Sequence, residues 1–170
     1  ETTHAILDGV HPSLLYPSNP DTLAFHEAFA DLVALFQHFS LPGVLRHQIA
    51  RARGDLRTRN LLAELAVQFG QATGRYGALR SAIGRVDPAT RAWTRLEPDP
   101  AALMRTQEPH ARGAILVAAV FDAFLRIYER RTVDLVRIAT GGSGVLPEGA
   151  LHPDLVERLA DEAARAAGHL

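Results

Sequence analysis

Apolar residues recur along this chain at helical rather than alternating spacing, and the pattern predicts a succession of helices. Glu1 to about Asp8 reads as a short helix, or the end of a longer one, stopped by Gly9 and Pro12. Val10 to Asn19 is expected to be a surface loop, given Pro12, Pro17 and the following Pro20. A second helix is expected to open near Pro20-Asp21, with proline in its first turn and Asp21 as cap. It carries Leu23, Phe25, Phe29, Leu32, Val33 and Phe36 at helical spacing, and Ser40-Leu41-Pro42-Gly43 ends it. A short helix around Val44 to Ala52 and another from Asp55 to roughly Ala72 should follow, with Gly54 between them. Gly74 to Pro109 is the least regular stretch, with Asp87-Pro88, Asp99-Pro100 and Trp93, whose default role is packing. From His110 a long helix is expected to about Glu129, with the pattern open to an extension to Ile138. Residues 141–150, beginning Gly141-Gly142-Ser143-Gly144, read as a flexible connector before an amphipathic helix over Pro153 to Ala167. Strand signals are weak throughout, so the fold class predicted is mainly α.

Composition narrows the classes. A length of 170 residues suits one helical domain, or one large lobe of a bigger protein. With 47% hydrophobic and 22% charged residues the chain can build a core. The longest apolar run, Ala114 to Leu125, is too short to span a bilayer and contains Asp122, so it is expected to be a buried helix. A formal net charge of −1 gives no reason to expect nucleic acid or an anionic membrane as partner. Cysteine is absent, which excludes disulfides and thiolate metal sites; any metal must be held by nitrogen and oxygen.

The candidate chemistry lies near the start. Glu1-Thr2-Thr3-His4 reads as an H-E-x-x-H motif without its leading histidine, and Glu27 with Asp31 forms an E-x-x-x-D. Two histidines four apart share a helix face and can grip zinc, while the intervening glutamate reaches a water molecule as base. Glu27 is the best candidate for the third ligand, because Asp31 follows it by one turn. One carboxylate can then bind zinc while the other hydrogen-bonds a ligand histidine. His11, His38, His47, His152 and His169 are scattered and suit surface or capping roles, and the arginines at 51, 53, 57 and 59 suit ion pairing. Gly141-Gly142-Ser143-Gly144 lacks the lysine of a phosphate loop.

The segment Glu1-Thr2-Thr3-His4-Ala5 through Tyr16 to His26-Glu27-Ala28-Phe29-Ala30-Asp31-Leu32 resembles the active-site helices of thermolysin-like gluzincin metallopeptidases. The family reads H-E-x-T-H-A in the first helix and N-E-A-x-x-D in the second. The resemblance implies that Glu1 is the general base, that His4 and Glu27 hold Zn2+, and that Asp31 supports the histidine preceding Glu1. It implies that Tyr16 helps stabilise the oxyanion. His26 stands where the family has the asparagine that contacts the second ligand histidine. Leu79-Arg80-Ser81 is similar to a family segment whose arginine binds the substrate carbonyl. Glu108-Pro109-His110-Ala111-Arg112-Gly113-Ala114-Ile115-Leu116 is similar to the stretch whose histidine opens a long helix and donates to the oxyanion. On that match His110 is the second catalytic histidine, with Glu108 orienting it.

The resemblance thus implies zinc-dependent hydrolysis of a peptide or protein substrate, by a site completed in the parent chain by its N-terminal lobe and the missing histidine. The fragment by itself is expected to be inactive. Two alternatives use the same residues: a gluzincin-derived pseudoenzyme that keeps the ligands without turnover, and a helical interaction domain with a chance E-x-x-H. The last of these predicts that His4 and Glu27 lie far apart.

Overall fold

Helices form where apolar spacing and capping residues agree, and the chain is mainly α in the computed structural model, which describes residues 2–57, 84–86, 90, 93–95 and 97–170. Helix α1 spans Thr2–Val10 and is followed by a 3-10 turn over Pro12–Leu15. Helix α2 spans Pro20–Gln37. Its cap is Asn19, whose Oδ1 accepts the backbone N–H groups of Asp21 at 2.8 Å and Thr22 at 3.1 Å. Asp21, expected as the cap, instead pairs with Arg112 at 2.5 Å. A second 3-10 turn, His38–Ser40, leads into α3, Pro42–Ala52, which starts on a proline as helices favour.

Two strands of three residues each, β1 (Gly84–Val86) and β2 (Trp93–Arg95), pair antiparallel with Val86 opposite Trp93. They lie in the stretch that reads as irregular, because three residues are too few to display a period of two. After a 3-10 turn over Pro100–Met104, capped by the Asp99 side chain, come α4 (Pro109–Ala139) and α5 (Pro153–Ala167). The helix expected from Asp55 to about Ala72 lies almost wholly outside the described residues, as do Arg80 and Asp87.

Contacts group the chain into two compact units, Glu1–Leu35 with Leu62–Asp122, and Phe36–Leu61 with Ala123–Leu170. In the first, α2 buries Thr22, Ala24, His26, Ala28 and Leu35, while Ala114, Val117, Ala118 and Phe121 are buried on α4. The large apolar residues of α2 that the sequence pattern singles out stay partly outside: Phe25, Phe29 and Val33 are 37–40% exposed. The reason is steric. A Cβ added at Gly113 of α4 would stand 2.7 Å from the Ala24 carbonyl oxygen and 3.2 Å from the Ala28 nitrogen, so the two backbones meet on a small-residue face.

In the second unit, Phe39, Leu45, Ile49, Phe124, Leu125, Tyr128 and Leu159 are buried, with Phe39 and Phe124 edge to face at 4.7 Å. Helix α3 closes with a left-handed Arg53 (φ 52°), and Gly54 returns its N–H to Ile49. The Arg53 guanidinium donates to the carbonyls of Leu146, Pro147 and Gly149. These bonds hold part of the segment 141–150 against the end of α3. Gly142 donates to Arg137 and Gly141 to Ile138, the hydrogen-bond pair that ends a helix on a left-handed glycine. Among the described residues no single helix is long and apolar enough to cross a membrane.

Candidate functional site

Helical geometry sets the first pair. His4 and Asp8 lie one turn apart on α1 and so share a face. His26 reaches both from α2: its Nδ1 is 2.7 Å from Nδ1 of His4 and its Nε2 is 2.6 Å from Oδ1 of Asp8. The two imidazoles are nearly parallel, at 10° with centroids 4.7 Å apart. His26 is 8% exposed, so both its nitrogens need partners, and both have them.

Glu27, the next residue on α2, is half-buried. Its Oε2 stands 3.7 Å from Nε2 of His4 and 3.2 Å from Nδ1 of His110. His110 arrives on the first turn of α4, and the contact of Gly113 with Ala24 and Ala28 brings that turn within reach of Glu27. Glu108 caps this helix: its two carboxylate oxygens accept the backbone N–H groups of His110 at 3.1 Å and Ala111 at 2.6 Å. These bonds, that of Ala111 foremost, hold its pKa below the ordinary carboxylate value, and the nearby His110 lowers it further. Glu108 was expected to orient the His110 ring. It fastens the backbone instead, and Glu27 meets the ring.

Of the residues singled out in sequence, the structure therefore gathers His4, Glu27, His26 and His110. Asp31 is half-buried one turn beyond Glu27. Tyr16 is 70% exposed at the end of a 3-10 turn, and its hydroxyl makes no hydrogen bond among the described residues. Glu1 and Arg80 lie outside the described residues. Two contributors had no role from sequence. Asp8 was detectable as the residue four after His4 on the same helix. Arg112 was not, because its ion-pair partner Asp21 lies 91 positions away; the same guanidinium also donates to the carbonyls of Leu103 and of Thr106, the latter at 2.8 Å. Two cavities in the second unit, of about 290 and 660 Å³, are lined by none of these residues.

The hydrogen bonds constrain the protons. The Asp8 carboxylate can only accept, so Nε2 of His26 donates to it. A neutral His26 then has a lone pair on Nδ1, which must accept a hydrogen bond from the Nδ1–H of His4. His4 in its neutral form is left with a lone pair on Nε2, facing a Glu27 oxygen 3.7 Å away. A nitrogen lone pair and a carboxylate opposed in this way suit a cation between them, and they are the donor types zinc accepts. They supply two donors of the three that a catalytic zinc needs. Among the described residues no group of three or more His, Cys, Asp or Glu side chains converges to hold a metal ion. No family model, no curated protein and no solved structure matches the chain.

Proposed function

We propose that this chain carries half of the active site of a thermolysin-like zinc metallopeptidase, completed in the parent protein by a histidine preceding Glu1 and by an N-terminal lobe. The observation that carries the reading is the opposition of His4 Nε2 and Glu27 Oε2 at 3.7 Å, on two helices and 23 positions apart in sequence. A helical domain with a chance E-x-x-H gives no reason for that approach. His4 and Glu27 would hold the zinc, with the preceding histidine as third ligand. When bound, the zinc supplies Lewis-acid polarisation of the scissile carbonyl.

The chain's own residues do the rest. Glu1 takes a proton from the attacking water and delivers it to the leaving amine. His110, 57% exposed beside Glu27, is held by its Nδ1. Its Nε2 can donate to the developing oxyanion when the ring carries both protons. Arg80 and Tyr16 are assigned to the same charge, and removing one such donor typically costs about 3 kcal/mol in the transition state.

The test is zinc content and peptide hydrolysis of the full-length protein, with Glu1→Gln and Glu27→Gln beside it. Glu1→Gln should keep stoichiometric zinc and lose hydrolysis, whereas Glu27→Gln should lose zinc. The 170-residue chain alone should bind zinc weakly and hydrolyse nothing. A residue other than histidine before Glu1, or a full-length protein without zinc, refutes the proposal. Zinc without hydrolysis that Glu1→Gln leaves unchanged identifies a pseudoenzyme.

A further inference from the structure

The resemblance accounts for a residue preceding Glu27 that touches His4, but not for a histidine there, nor for an acid behind it. We infer that Asp8 and His26 form a two-step hydrogen-bond relay that fixes His4 in the tautomer protonated on Nδ1, leaving Nε2 as a lone-pair donor directed at Glu27. Asp8 and His26 are positioning residues in this scheme; neither touches the substrate or the metal. As a statement about the site's purpose the inference rests on the zinc reading above, although the tautomer itself does not.

Three observations carry it. The relay is continuous, at 2.6 Å from Asp8 to His26 and 2.7 Å from His26 to His4. Its middle member is buried at 8% exposure, so water does not readily replace either partner. For a neutral His26 its direction is imposed from one end, because an ionised carboxylate accepts and never donates. An asparagine at position 26 could present to His4 either its amide oxygen, which accepts, or its NH2, which donates. A histidine there accepts or donates through the same Nδ1, according to where its proton resides. Without Asp8, His26 can carry its proton on Nδ1 and push the His4 proton to Nε2, the wrong nitrogen for facing a cation. The acid one turn after His4 removes that ambiguity. An acid that selects a histidine tautomer is a known device in triad hydrolases, where an Asp→Asn change keeps the geometry and supplies the wrong tautomer.

The alternative is a purely structural clamp of α1 to α2, and the experiment separates the two. Imidazole nitrogen NMR of the metal-free, full-length protein reports the tautomer of His4 directly, and chelator competition reports its zinc affinity. Wild-type His4 should be protonated on Nδ1. Asp8→Asn, nearly isosteric and able to donate to His26, should shift His4 toward the Nε2-protonated form and weaken zinc roughly 10- to 100-fold. In a His26→Asn background, which lacks the middle of the relay, adding Asp8→Asn should change neither readout. A wild-type His4 protonated on Nε2 overturns the inference. So does an Asp8→Asn variant that keeps the wild-type tautomer, or one that weakens zinc equally with Asn at position 26. A wild-type protein with the expected tautomer and no zinc leaves the relay standing and refutes the metallopeptidase reading instead.

Discussion

Gly113→Ala tests the packing that brings His110 to Glu27. The added Cβ would stand 2.7 Å from the Ala24 carbonyl oxygen, a backbone atom that cannot rotate away, and 3.2 Å from the Ala28 nitrogen. Restoring an ordinary contact of about 3.4 Å requires α2 and α4 to part locally by roughly 0.7 Å. Alanine favours a helix interior over glycine by about 1 kcal/mol, whereas overpacking of this kind costs about 1–3 kcal/mol. The expected net effect is a loss of about 0–2 kcal/mol in urea-unfolding stability. The His110–Glu27 contact, at 3.2 Å, would also lengthen toward 4 Å, beyond hydrogen-bond range. Gly43 is the control: it lies in α3, where an added Cβ would have nothing within 4 Å, so Gly43→Ala should be neutral or stabilising. The His110 ring resonances should move in Gly113→Ala and stay put in Gly43→Ala. If Gly113→Ala gains about 1 kcal/mol and leaves His110 unchanged, the close approach of the helices is refuted.

Two further outcomes concern stability alone. Gly54 has φ +77°, and a Cβ there would meet Leu159 Cδ1 at 2.8 Å beside the Tyr128 hydroxyl that bonds its carbonyl at 2.9 Å. Gly54→Ala should lower the unfolding free energy by about 2–4 kcal/mol, combining left-handed strain with overlap; a loss below 0.5 kcal/mol in urea titration would count against this packing. Glu108 has a lowered pKa, so its contribution is fully present above the ordinary glutamate range and is lost as pH falls through its lowered folded value. Stability of the wild type should therefore fall more steeply than that of Glu108→Gln as pH drops below about 4.5; parallel pH profiles would show that the cap does not act through its charge.

The predominance of helix and the positions of α2, α3, α4 and α5 were legible in the amino-acid order. Each is a local property: periodicity, a proline at a helix start, or a glycine after its end. The β1–β2 pairing was not legible, because strands this short carry no period. The cap of α2 was misassigned by two residues, since Asn19 and Asp21 are both good caps and only the backbone conformation chooses between them. Which face of α2 is buried was also beyond local reading. Phe25 and Phe29 have the greater hydrophobicity, yet Ala24 and Ala28 face α4 because only small side chains admit the backbone at Gly113. The same approach carries His110 to Glu27 and so decides a contact between residues 83 positions apart. Tertiary structure alone also joined Asp8 to His26 and His26 to His4. The sequence determined that two metal-binding residue types stand on helical faces; the tertiary structure decided which groups meet across those helices, because these contacts join residues far apart in the chain.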